Sequence, residues 1–364
     1  MHKLTTIINW LAGPRLLFAL LPALMVLIAI GTVAQKYLGL YVAEKTFFSS
    51  FVFWAGGFLP LPGGYSLMSL LTLSLLLKFI LKSRWTRPRA GINLAHFGVL
   101  VLLAGGIVSS LLAEDGSLTL AEGQSSTQVR DFHVRELMLI QGNSLLATLP
   151  QRELRDGRVL EFTTPPLRLK ILQACRNCTI RAQESEDPAR RSMAKGMQLA
   201  PARLELNDEA NTGGITFEVQ NLDADQNGTY ILFEDGPTTK LMIGKQLIEL
   251  AYSKQQRRLP FTVTLTDFVK TNYPGTDTAK DYYSDVVISD GALTWPARIG
   301  MNAPLRYRGY TLYQSAFLTT PQGEELTVLA VSRDAGQFLP YLGTILLALG
   351  LILHLFLRSR EVQP

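Results

Sequence analysis

Four long apolar runs constrain this chain more than any other feature of its sequence. A helix needs roughly 20 apolar residues to cross a ~30 Å hydrocarbon core, and within that core every backbone N–H and C=O must be satisfied inside the helix. Residues 16–34 (LLFALLPALMVLIAIGTVA), 65–81 (YSLMSLLTLSLLLKFIL), 92–112 (INLAHFGVLVLLAGGIVSSLL) and 338–357 (FLPYLGTILLALGLILHLFL) are of the required length and character. The expected architecture is an integral membrane protein with four transmembrane helices. The first run is longer than a signal-peptide core and three more follow it, so it reads as a retained span bent at Pro22.

The basic residues predict an orientation. Lys3 and Arg15 precede the first run, Lys82, Arg84, Arg87 and Arg89 fill the loop between the second and third, and Arg358 and Arg360 follow the fourth. In a four-span chain these three places share one side, and cytoplasmic loops are the ones enriched in Lys and Arg. Residues 35–64 and 113–337 are then expected on the extracytoplasmic face. Trp10 and Trp85 fall where an interfacial aromatic belt would hold them. The net charge of +5 partly reflects this topology, and no basic stripe interleaved with aromatics points to nucleic acid.

Three regions follow: a membrane region 1–112, a β-rich domain 113–337 between the third and fourth helices, and 338–364 with the last helix and a short tail. The β reading rests on short alternating runs from SLTLAEG (117–123) to LTVLAVS (326–332), with ARLELND (202–208) among them, separated by Gly, Asp, Asn or Pro. Many such strands predict antiparallel sheets in a sandwich or open barrel. The charged stretch QESEDPARRSMAKGMQ (183–198) reads as a mobile loop. The loop EKTFFSSFVFWAGGFLPLPGG (44–64) is apolar but broken by Gly and Pro; it fits either an interfacial helix over 43–54 or a hydrophobic plug.

Few side chains in this pattern can carry chemistry. Nucleophile elbow, Walker loop, H-E-x-x-H and Rossmann signatures are missing from the sequence. His96 and His354 each lie four residues, or roughly 6 Å, inside one end of an apolar run. Both are expected near the cytoplasmic surface, where imidazoles suit haem iron, a proton relay or interfacial packing. Gly105, Gly106, Ser109 and Ser110 make the third run a candidate for close helix approach, to a partner or within the chain. Cys175-Arg-Asn-Cys178 is the cysteine complement; its flanks read as strands, so Arg176-Asn177 would be a hairpin turn. A structural disulfide, a redox pair and a metal-binding or passive thiol pair all remain open. Thr179 stands where a haem-attachment C-x-x-C-H needs histidine.

Several stretches together resemble one family. IGTVAQ (30–35), the loop FFSSFVFWAGGFLPLPGG, NLAHFGVLVLLAGG (93–106), GSLTLAEGQ (116–124), YPGTDTAKDYYSDVVISDG (273–291) and ARIGMNAPLRYRGYTLYQSAF (297–317) resemble the ResB family of system II cytochrome c biogenesis. The resemblance runs over nearly the whole chain, is most specific at MNAPLRYRGYTLYQS (301–315), and is weak over about 130–260. It implies a non-catalytic or co-catalytic subunit of a cytochrome c haem lyase complex. That subunit works with a CcsA (ResC)-type membrane protein, moves haem b in transit across the membrane, and presents it to apocytochrome c. It also implies that His96 is an axial haem ligand, with the opposing ligand and the tryptophan-rich haem loop on the partner. His354 and the cysteine pair have no match in that pattern. A thioredoxin-like thiol reductase is a further expected partner. Arg306 and Arg308 alternate in a strand-like run, so both should share one face, suited to carboxylates of a partner or of haem, to an internal ion pair, or to solvent. Two other function classes stay in view: a membrane-anchored thiol–disulfide factor using Cys175 and Cys178, and a structural scaffold that binds no haem.

Overall fold

The computed structural model describes residues 2–183, 187–320 and 322–361. The chain forms two compact units: residues up to Glu114 together with those from Arg333 onward, and Asp115–Ser332.

The first unit is helical: α1 (His2–Leu11), α2 (Pro14–Leu38), α3 (Leu40–Ala43), α4 (Gly64–Lys82), α5 (Ala90–Leu112) and α6 (Phe338–Glu361). Four of these, α2, α4, α5 and α6, are long and apolar enough to cross a membrane. Pro14 opens α2, where the missing N–H costs nothing, and Pro22 lies inside it. α5 and α6 pack closely and antiparallel because small residues recur every seven positions along the seam. Gly91, Gly98 and Gly105 on one side meet Gly336, Gly343 and Gly350 on the other. A Cβ at Gly98 would stand 2.8 Å from the Gly343 carbonyl oxygen, and one at Gly350 would stand 2.8 Å from the Ala95 Cα. Ser109 Oγ donates to the Asp334 carboxylate at 2.8–2.9 Å, pinning the start of α6 to the end of α5.

The loop after α3 departs from the helical expectation for it, while Phe47, Phe48, Phe53 and Leu61 pack against Leu16, Leu20, Leu27 and Leu67 as a hydrophobic plug would. A single π-helical turn, Glu44–Phe48, extends α3, and then Val52–Ala55 pairs antiparallel with Leu59–Pro62 as a hairpin. An interfacial helix over 43–54 does not form. Gly56 and Gly57 both take positive φ, the geometry of a tight hairpin turn, and they commit the preceding residues to a strand.

The second unit is antiparallel β. Its ten-stranded sheet runs Leu293–Gly300, Ala279–Asp290, Gln246–Asn272, Ser125–Gln141, Glu114–Ala121, Glu325–Arg333, Tyr310–Thr319, Leu305–Tyr307. Thr239–Ile243 and Ser144–Pro150 add to the two long strands, Gln246–Asn272 and Ser125–Gln141. A four-stranded sheet runs Gly228–Phe233, Gly214–Gln220, Pro166–Cys175, Val159–Thr163. The long strands serve two separate cores. Their paired halves around Leu139↔Leu250 pack with Ile171 and Phe217, whereas Phe261 and Val263 pack with Leu118, Ile288 and Leu312. Register shifts between Lys254 and Gln256 and between Arg258 and Val263 mark the crossing from one core to the other.

Two expectations in this unit are overturned. ARLELND is not a strand: Asn211 Oδ1 accepts from Glu205 N at 2.9 Å and Asn207 Oδ1 from Glu209 N, so side chains take the backbone groups a sheet would use. The stretch 183–198 is not a loose loop, although 184–186 lie outside the described residues. It holds a 3-10 turn at Ser192–Lys195 and the start of strand Met197–Pro201, and Arg191 Nε donates to the Asp225 carbonyl at 2.8 Å.

Candidate functional site

In the helical unit the site grows from the rotation of α5. Gly91, Ala95 and Gly98 are buried against α6. His96, about 100° further round the helix than Ala95, therefore points away from α6. It lines a cleft of about 290 Å³ whose other walls are mainly apolar side chains of α2 and α4, such as Leu17, Leu21, Leu71 and Leu75. Ser74 and Lys78 share that lining; Ser74 Oγ donates to the Leu11 carbonyl at 2.7 Å. The Ile92 carbonyl lies one helical turn back from the His96 ring. A neutral imidazole that donates from one nitrogen keeps a lone pair on the other, which is what metal ligation needs.

His354 does not join it. The backbone of His354 sits against Gly91 whereas Gly350 sits against Ala95, so His354 lies about one helical turn nearer the end of the α5–α6 pair than His96, and the two are not at the matched depth that the sequence suggests. His354 is not among the residues lining the His96 cleft, and its Nδ1 is buried without a hydrogen-bond partner. No group of three or more His, Cys, Asp or Glu is clustered for a metal ion among the described residues. Gly105 and Ser109 are used within the chain, against Leu339 and Asp334, and Ser110 Oγ lies 2.8 Å from the Tyr65 hydroxyl. Gly106 alone of the four faces open space.

In the β unit, Cys175 and Cys178 form a disulfide with Cα atoms 5.8 Å apart. The expected hairpin is absent. Cys175 ends a strand paired with Gly214–Gln220, and Cys178 opens one paired with Met197–Pro201, so Arg176-Asn177 turns a corner between two sheets. Side chains hold that corner. Asn177 Nδ2 donates to the Arg203 carbonyl at 2.6 Å, and Arg176 pairs with Asp208 at 2.5 Å. Asp208 also takes His133 Nδ1 at 2.8 Å. Burial alone would raise the Asp208 pKa, but the His133 hydrogen bond and the charges of Arg176 and Arg135 outweigh it and hold the carboxyl below its ordinary range. Arg135, fully buried, bonds Glu234 and the Asn211 carbonyl, and Lys254 stands 3.7 Å from Glu234. Sequence reasoning missed this network. Its one visible trace is a charged pair, Arg135-Glu136, entering the apolar run LMLI.

The two arginines of MNAPLRYRGYTLYQS do not share a face. Arg308 (φ 48°) and Gly309 (φ 79°) are the turn that joins Leu305–Tyr307 to Tyr310–Thr319. Arg308 Nε and the Tyr307 hydroxyl both reach Asp290 Oδ2, each at 2.7 Å, so Arg308 is committed to an internal ion pair. Arg306 is exposed on the short strand opposite Thr311.

Four helices long and apolar enough to cross a membrane, on either side of an antiparallel β unit in the sequence, are the architecture of a membrane protein, and His96 lines an apolar cleft among those helices. A match to a known family falls in the β unit. Residues 226–327 match the ResB-like family. Protein NrfI of Wolinella succinogenes is 34% identical over 110 residues, a stretch that is 30% of this chain and 12% of NrfI, so the chain spans a small part of that relative's length. The resemblance to the ResB family is thereby supported over the segment that carries MNAPLRYRGYTLYQS.

Proposed function

We propose that this chain is a ResB-type subunit of a haem export and cytochrome c synthetase complex, in which His96 is an axial ligand to haem b as the transported substrate. The observation that carries the reading is the His96 cleft: a lone imidazole lining a mainly apolar space in a chain with the ResB-like match. An apolar wall suits the porphyrin face, and one imidazole is all the iron would require from this subunit. At about 290 Å³ the cleft is at the lower end of small-molecule sites, so it makes one wall and a CcsA/ResC-type partner makes the other and supplies the opposing ligand.

In this reading the basic loop at Lys82–Arg89 is cytoplasmic and the β unit is outside, where it holds the partner or apocytochrome c. A reporter fused after Arg89 should read cytoplasmic and one at Asp187 extracytoplasmic; the opposite result at either place would overturn the orientation. The thiol–disulfide alternative loses ground because both sulfurs are joined and buried, which disfavours exchange with a thioredoxin-like reductase or a client. The absorption spectrum of the purified chain, alone and with a co-expressed CcsA-type protein, tests the proposal. A haem spectrum should accompany the pair. A pair that assembles and matures cytochrome c without ever carrying haem would leave the scaffold reading instead.

A further inference from the structure

The His96 cleft contains a cation that the haem-ligand reading does not use. Leu71, Ser74, Leu75 and Lys78 stand at i, i+3, i+4 and i+7 on α4, so they share one face, and that face lines the cleft. α1, α2, α4 and α5 contain no Asp or Glu anywhere in their length. The helices that build the cleft therefore offer Lys78 no counter-ion. Lys82, one turn further on, is already used: its ammonium donates to the Asn9 carbonyl at 3.1 Å.

Depth matters as well as charge. Lys78 is four residues before the end of α4 and His96 six residues after the start of α5, about 6 and 9 Å from the helix ends. A ligand held at both groups would keep its apolar body toward the bilayer centre and its anionic edge toward the interface.

We propose that Lys78 is the carboxylate-binding residue of this cleft, its ammonium pairing with a propionate of the porphyrin whose iron His96 ligates. The inference rests on the haem reading and adds a requirement to it: the substrate is recognised by its acid groups as well as by its iron. A neutral donor and a lone cation on one apolar wall match an amphiphilic metal chelate bearing carboxylates; a bare metal ion or an uncharged porphyrin would leave the ammonium unpaired.

The test uses the purified complex with its CcsA-type partner, titrated with haem and with haem dimethyl ester and read by absorbance. The wild-type complex should bind haem about tenfold more tightly than the ester, the scale of one charge-assisted hydrogen bond. Lys78→Ala should bring haem down to the ester's affinity, leave the ester unchanged and keep the spectrum of imidazole-ligated iron. Lys78→Arg should retain the preference. An unchanged preference in Lys78→Ala would overturn the proposal and assign the ammonium to lipid headgroups, and an equal loss for both ligands would overturn it in favour of a packing role. If those results came with a spectrum that still depends on His96, the haem reading would stand. If His96→Ala left the spectrum unaltered, that reading would fall too, whatever Lys78 did.

Discussion

His133, Arg176 and Arg135 converge on Asp208, a carboxylate with 4% of its surface exposed. Its folded pKa lies below its unfolded value, so it contributes stability that is fully present above about pH 4 and lost as pH falls through the folded value. Thermal unfolding of the detergent-solubilised protein should show a drop in Tm on acidification below pH 4, and Asp208→Asn should lower Tm at pH 7 and flatten that acid limb. A variant with wild-type acid sensitivity would show that other carboxylates carry it. At this scale the sequence was partly legible. His96 stood out because an imidazole in an apolar run has few alternatives. Asp208 did not, since its partners come from segments 32 and 75 residues away. Arg308 misled because period-two alternation cannot see that Arg308-Gly309 takes positive φ and ends the strand. Lys78 sat in plain view as the one charge inside YSLMSLLTLSLLLKFIL, yet it could be weighed only once α4 and α5 were seen to share a cleft.

The α5–α6 seam makes a prediction at the level of elements. Gly98→Leu forces a side chain into the α6 backbone and should cost about 1–3 kcal/mol, the usual range for overpacking, whereas Gly106→Leu enters open space and should leave Tm nearly unchanged. Equal losses in the two variants would mean that the seam is not where the structure puts it. The disulfide closes a loop with a sequence separation of 3, so Cys175→Ser should cost about 2 kcal/mol by loop entropy and leave the β unit folded. Collapse of near-ultraviolet circular dichroism in that variant would show that the corner between the sheets depends on the bond. The membrane-length helices were readable because a long apolar run has one structural solution in lipid. α1 was not, being a short helix of mixed polarity. The strand Gln246–Asn272 is far longer than the short alternating runs visible in the sequence, because its register shifts interrupt the alternation midway. Sheet order stayed hidden, since nothing local in Gly214–Gln220 names Pro166–Cys175 as its neighbour.

For the molecule as a whole, the two units carry different kinds of information. The family match lies in the β unit, at 226–327, while the residues proposed to touch substrate lie in the helical unit. Haem binding through His96 in the helical unit is the proposed link between the two. Haem content and cytochrome c maturation of His96→Ala, expressed with its CcsA-type partner and assayed with and without added imidazole, measure that link most directly. The account predicts an assembled complex that has lost most of its haem and its maturation activity, with both partly restored when imidazole fills the vacated coordination position, and little effect from His354→Ala. An assembled His96→Ala complex with wild-type haem and wild-type maturation would contradict it.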